Sequence, residues 1–368
     1  MNPLPESHPD SAGSQSQPSK QAKAGGIFLH TGWRSAGTWI WSRFRALPSV
    51  TAFYEPLHPM LGDLSLVDIP AVQPTWTSGH PPLKTPYYDE YRPFMQERTR
   101  GVAGYRKSFA TDRFASEPDR DFPALHGYLK NLCDHAIDQG KVPVLKFCRS
   151  SGRLPWLKSA FPDAMHAVVL RNPASQFASG WLLHQQWSNG FFVAAPFRVL
   201  GHNQSEPWVR QVTELCGVQL PPGTPGSVEE YAALCEQYVR TVEGLDAYRA
   251  FLAMWTLGAL RMIDDVDLLI DVDRLGQVPA YAAELRAEIR LHTDAIPAFN
   301  GAKDLVDETR RSATRIKGID GRMARSIHFS VEKLLLSQRA SPDPRAKIVE
   351  LVREKLALAT ELSEPWRY

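Results

Sequence analysis

Five short apolar runs recur along the chain: IFLHT (27–31), VTAFY (50–54), VPVLKF (142–147), HAVVL (166–170) and VDLLI (266–270). Each is rich in β-branched or aromatic residues and shows little polar alternation, the pattern of strands buried on both faces. Between them lie TWIWSRFRAL (38–47), FPALHGYLKNLCDHAID (122–138), PASQFASGWLLHQQW (173–187) and LDAYRAFLAMWTLGALRMID (245–264). Their apolar residues return near helical spacing, which predicts helices. Strand and helix in alternation predict an α/β fold, a P-loop-type parallel sheet of about five strands flanked by helices.

Two stretches break the alternation. Residues 60–120 are rich in Pro, Tyr and polar side chains, and residues 188–230 carry Gly, Pro and scattered aromatics. Both predict long irregular insertions facing the substrate. From about 326 onward the pattern is helical again, broken at SPDPR (341–345). Residues 1–25 form a Pro/Ser/Gln-rich tail with no apolar stretch, expected to be disordered and unsuited to a signal peptide or membrane anchor. Residues 26–368 are expected to form one α/β domain.

Composition narrows the class. With 43% hydrophobic residues, 368 residues can bury a substantial core. A formal charge of +2 gives no field for general nucleic-acid binding, so any anion site must be local. The longest apolar run, Ala250 to Leu260, falls short of the roughly 20 residues that span a bilayer, and no membrane span is expected. Cys133, Cys148, Cys216 and Cys235 show neither a CxxC pair nor zinc-ligand spacing, so buried thiols in a reducing, cytoplasmic compartment are expected.

The chemistry starts at the turn after the first run. Gly32 and Gly37 have the GxxxxG spacing that lets successive backbone N–H groups converge on an oxyanion, with a helix N-terminus following. A nucleoside triphosphate loop continues with Lys and Ser/Thr for phosphate and magnesium; Thr38 and Trp39 stand there instead, and a cation, Arg34, lies inside the loop. This suits a single anionic group held without metal. A second candidate anion site is LRNPASQFAS (170–179), where Arg171 closes a strand, Pro173 suits the first helical turn and Ser179 follows.

HTGWRSAGTWIW followed by FYEPLH resembles the phosphosulfate loop of sulfotransferases that use 3′-phosphoadenosine 5′-phosphosulfate (PAPS), particularly the carbohydrate branch. Arg34, Ser35, Ala36, Gly37, Thr38 and Trp39 match the loop, and Tyr54, Glu55, Pro56 and Leu57 match the element after it. Ala36 and Gly37 depart from the usual Gly-Thr or Gly-Ser, with one hydroxyl fewer. FPDAMHAVVLRNPASQFAS (161–179) is similar to the segment that grips the 3′-phosphate, which implies that role for Arg171 and Ser179. RIKGIDG (315–321) is an imperfect echo of the family's RKGxxG, with Arg315 and Lys317 as its cations. The resemblance covers 26–58 and 142–180 closely and 266–275 loosely.

It implies transfer of a sulfuryl group from PAPS to an acceptor hydroxyl by in-line displacement, without metal. Glu55 is the expected general base, His58 its rival, and Lys146 the cation expected at the bridging oxygen or the acceptor; Arg149 is a weaker candidate. Asp271 and Asp273 suit a helix or turn cap. The EPL element and the aromatic content favour a glycan or glycolipid acceptor. The alternatives are a P-loop kinase-like phosphotransferase, which lacks its lysine here, and a non-catalytic nucleotide-binding relative. A chelator should leave turnover unchanged; loss of activity restored by magnesium would favour the kinase.

Overall fold

The computed structural model describes residues 25–72, 80, 83–111, 114, 117–223, 226–337 and 345–367. The polar tail (apart from Gly25) and most of SPDPR lie outside the described residues. The chain opens with strand β1 (Gly26–Thr31), helix α1 (Gly37–Arg45) and strand β2 (Val50–Tyr54). After the first insertion come α2 (Pro123–Asp138), β3 (Val142–Phe147), α3 (Leu154–Ala160), β4 (Ala164–Leu170) and α4 (Pro173–Trp187). Helices α5 (Phe191–His202), α6 (Pro207–Leu215), α7 (Val228–Tyr238) and α8 (Gly244–Asp265) lead to β5 (Leu268–Asp271). The remaining helices are α9 (Val272–Gln277), α10 (Tyr281–His292), α11 (Leu305–Ser312), α12 (Gly321–Ser337) and α13 (Arg345–Ser363).

The sheet is five-stranded and parallel throughout, in the order β2-β3-β1-β4-β5. All five expected strands form. The last begins two residues later and ends one later than expected, because α8 runs to Asp265 and the Asp267 carboxylate is spent on the His166 N–H and the Lys158 ammonium. One apolar core joins the sheet to α1, α2 and α3; a second joins α4 and α5 to α8, α12 and α13. No described helix is long and apolar enough to cross a membrane. All four cysteines are buried and free of disulfides.

Residues 188–230 depart from expectation: this stretch is largely helical. Pro207 occupies the first turn of α6, where its missing N–H costs nothing. Ser227 and Glu230 form a reciprocal capping box that starts α7. Gly190 and Pro207 stand at helix starts, while Pro196 and Gly201 lie within α5. By contrast, the described part of 60–120 is turns and short 3-10 segments, at Pro59–Gly62, Asp89–Phe94 and Lys107–Ala110.

The far edge of the sheet is tied to the C-terminal helix by buried charge. Lys355 of α13 donates to Asp271 (2.5 Å) and Asp273 (2.9 Å), all three nearly inaccessible to solvent. Asp273 also accepts from the backbone and side-chain nitrogens of Asn172, the N-cap of α4, while Asp271 caps α9. Removing the cation would leave two carboxylates buried against each other. Lys355→Met should therefore cost about 3–5 kcal/mol of stability, read from the midpoint of denaturant unfolding. A loss under about 1 kcal/mol would show that the pair is effectively solvated.

Candidate functional site

Parallel strands bring their carboxyl ends to one edge, and the strand order places β1 where connections diverge to either side, the usual position for a ligand crevice. The turn Gly32–Ala36 lies there. Arg34 (φ 66°) and Ala36 (φ 65°) both adopt left-handed backbone, as does Glu55 (φ 49°) after β2. Only one further non-glycine residue among those described does so, Ser188, and such strain clusters at working sites. Gly37 is required for a different reason: a Cβ there would meet the Thr31 side chain at 2.5 Å. Ser35 turns inward, its Oγ donating to the Gly32 carbonyl (2.9 Å); at the start of α1 Trp39 N and Ile40 N donate to the Ala36 carbonyl (2.9 and 3.1 Å), while the Gly37 and Thr38 N–H groups have no acceptor within their own helix.

Arg171 and Ser179 are both joined to this turn through Arg34. Arg171 Nη1 donates to the Arg34 carbonyl at 2.8 Å, and the Arg34 guanidinium donates to Ser179 Oγ at 3.2 and 2.9 Å. The Arg171 carbonyl is itself fixed by the Trp255 indole N–H at 3.1 Å. Burial lowers the Arg171 pKa to about 10, opposed by Asp273, so it stays charged at neutral pH. Its Nε, also buried, has no acceptor among the described residues.

On the other side of β1, strand register sets the chemistry. Tyr54 lies opposite Lys146 in the β2–β3 pairing, so the next residue, Glu55, meets the lysine as both strands end. The Glu55 carboxylate is buried and accepts from the Lys146 ammonium and from Cys148 N (3.0 Å), with Arg149 at 3.6 Å. Burial pushes its pKa up, but Lys146, Arg149 and the Cys148 hydrogen bond prevail and hold it at about 2. Burial likewise opposes the Lys146 charge, yet its neighbours Cys148, Glu55 and Tyr54 outweigh it, and its pKa moves upward. Lys146 also stands 4.7 Å from the Tyr54 ring centre. His58, lowered to about 3 by burial and by Arg149, accepts from Met60 N through Nδ1 (3.1 Å) and stacks on Phe191.

Glu55, His58, Lys146, Arg34, Ala36, Gly37, Thr38, Trp39, Arg171 and Ser179 line one cleft of about 890 Å³. Ser35 is not on its surface, and neither are Arg315 and Lys317. The Lys317 carbonyl accepts from Trp181, and its backbone bridges to Arg367, away from the cleft. Lys303, ahead of α11, stands on the wall instead. Sequence reasoning also missed Tyr87, Tyr88 and Phe191, whose only trace is the paired aromatics in PYYDEY and GFFV. No family model, curated protein or solved structure matches the chain.

Glu55→Gln leaves Lys146 buried without its counter-charge and should cost about 3–5 kcal/mol at neutral pH. The sign with pH follows from the depressed carboxyl. Its contribution is complete above the ordinary value of 4.5 and is lost as pH falls toward about 2. Unfolding curves of wild type and variant should therefore stay apart from pH 8 to 5 and converge only below about pH 4.5. Convergence near neutral pH would mean that the carboxylate is not held in this way.

Proposed function

We propose that the chain transfers a sulfuryl group from PAPS to an acceptor hydroxyl. The observation that carries this reading is the convergence, in one cleft, of a glycine turn bearing Arg34, a second cation at the end of β4 that donates to that turn, Arg171, and a third across β1, Lys146. A donor that carries two anionic groups calls for more than one cation in its cleft. The turn would take the 5′-phosphosulfate through the N–H groups of α1, and Arg171 with Ser179 the 3′-phosphate.

In the reaction the acceptor oxygen bonds to sulfur as the bond from sulfur to the bridging oxygen breaks. The electron pair leaves with 3′-phosphoadenosine 5′-phosphate, and the acceptor proton is released. Charge builds on the bridging oxygen in a loose transition state, so a fixed cation beside it does most to lower the barrier. Lys146 suits this task, since Glu55 orients its ammonium and keeps it protonated. Glu55 itself is a poor match for the expected base: a carboxyl held at about 2 gains little by accepting a proton at neutral pH. We therefore assign it to positioning Lys146.

Arg171→Ala should weaken binding of PAPS and of 3′-phosphoadenosine 5′-phosphate by about 1.5–3 kcal/mol in titration calorimetry. Adenosine 5′-phosphosulfate, which has no 3′-phosphate, should lose far less. Equal losses for both would show that Arg171 does not read that group.

A further inference from the structure

The peptide unit that joins Arg171 to Asn172 lies just past the end of β4, outside the strand ladder. Two side chains hold it instead. The Trp255 indole N–H donates to its carbonyl (3.1 Å), and its own N–H donates to Asp273 Oδ2 (2.8 Å). The unit is planar, so holding it at both oxygen and nitrogen fixes the backbone torsions on either side, one of them at the carbon that carries the Arg171 side chain. Asp273 does more. Its Oδ1 accepts from Asn172 Nδ2 (2.9 Å), and its Oδ2 also accepts from Lys355 of α13 (2.9 Å). All three side chains are buried. Just past α13, Trp366 lies 6.1 Å from the ring of Phe177, so the C-terminal segment meets α4 a second time.

Asn172 extends the network to a further element. Its Nδ2 donates to Ser175 Oγ (2.9 Å), and Ser175 Oγ meets Thr309 Oγ1 of α11 at 2.9 Å. On this side the cleft is lined by Arg171, Ser179, Val272, Leu275, Lys303 and Glu308. They stand at the end of β4, on α4, on α9, and on or just ahead of α11, and these elements meet in the one buried network. Asp273, Asn172 and Lys355 are themselves absent from the cleft wall.

Resting on the reading of Arg171 as the cation for the 3′-phosphate, we propose that Asp273 is the positioning residue of this half of the cleft, and that α13 acts on Arg171 through it. The carboxylate is needed for its charge as well as its shape. Burial lowers the Arg171 pKa, and Asp273 is the foremost charge opposing that. An Asn at position 273 keeps the size but offers one oxygen where three donors converge, and turns its own NH2 toward another donor. Lys355 is then left with Asp271 alone. Binding and docking are reciprocal in this arrangement. An anion held by Arg171 stabilises the seat of α13, and α13 in its seat raises affinity for the anion.

Hydrogen exchange of the full chain, read by mass spectrometry, tests this first without ligand. Asp273→Asn should speed exchange on the order of tenfold over 170–176 and 303–312, and leave 50–58 and 142–150, across β1, unchanged. Equal acceleration along the whole chain, or none over 170–176, overturns the proposal, since the network would then hold up the entire fold or leave Arg171 untouched. In the wild-type chain, saturating 3′-phosphoadenosine 5′-phosphate should slow exchange along α13, although that helix does not line the cleft; no slowing there overturns it too. In calorimetry at a temperature where both chains are folded, Asp273→Asn should bind this ligand on the order of tenfold more weakly, and adenosine 5′-phosphosulfate should lose far less. Unchanged affinity for the first ligand overturns the proposal. Should Asp273→Asn fail to fold, Thr309→Val, which removes one neutral hydroxyl, should still speed exchange over 303–312 and weaken binding about fivefold; no change in either overturns it. If the wild-type chain does not bind 3′-phosphoadenosine 5′-phosphate, the sulfuryl-transfer reading fails, and the ligand-free exchange pattern alone decides whether Asp273 holds the Arg171 peptide.

Discussion

The buried contact between Glu55 and Lys146 is the constraint on which the rest of the site depends. Two opposite charges lie at the ends of adjacent strands, out of reach of water, where neither could remain ionised alone. The pairing fixes where β2 and β3 stop. Through the Cys148 N–H it also fixes the turn that follows β3, and through Arg149 it reaches the Trp33 and Phe191 rings, which lie near that guanidinium. A cation held by a buried carboxylate keeps its position without being ordered anew.

A second buried charge cluster does similar work at the other edge. Asp271 and Asp273 follow β5, but Lys355 reaches them from α13, more than eighty residues later in the chain. Asn172, beside Arg171, joins the same cluster through Asp273. The C-terminal helix thereby bears on the orientation of Arg171, although α13 does not line the cleft. The Arg34–Ser179 and Arg171–Arg34 hydrogen bonds tie the ends of β4 and α4 to the glycine turn.

What was legible in the chain was what repeats locally. Buried strands announce themselves by short β-branched runs and helices by their spacing, and all five strands and the four principal helices appear where those patterns lie. The glycine turn was legible because close approach of strand and helix tolerates only Gly at position 37. The helices α5, α6 and α7 were not. Their Gly and Pro can end an element or begin one, and which applies depends on packing against α8.

Sequence alone therefore determined the alternation, the parallel sheet and the list of chemically capable residues near strand ends, because those follow from local sterics and periodic burial. It could not decide what those residues do. Glu55 reads as a base in isolation; only the strand register brings Lys146, Arg149 and the Cys148 N–H to it, and these lower its proton affinity. Arg315 and Lys317 read as phosphate cations, yet neither lines the cleft, where Lys303 does, and the Lys317 backbone is engaged by Trp181 and Arg367. Charge, proton affinity and exposure are properties of a neighbourhood, and residues distant in the chain become neighbours only when the tertiary structure brings them together.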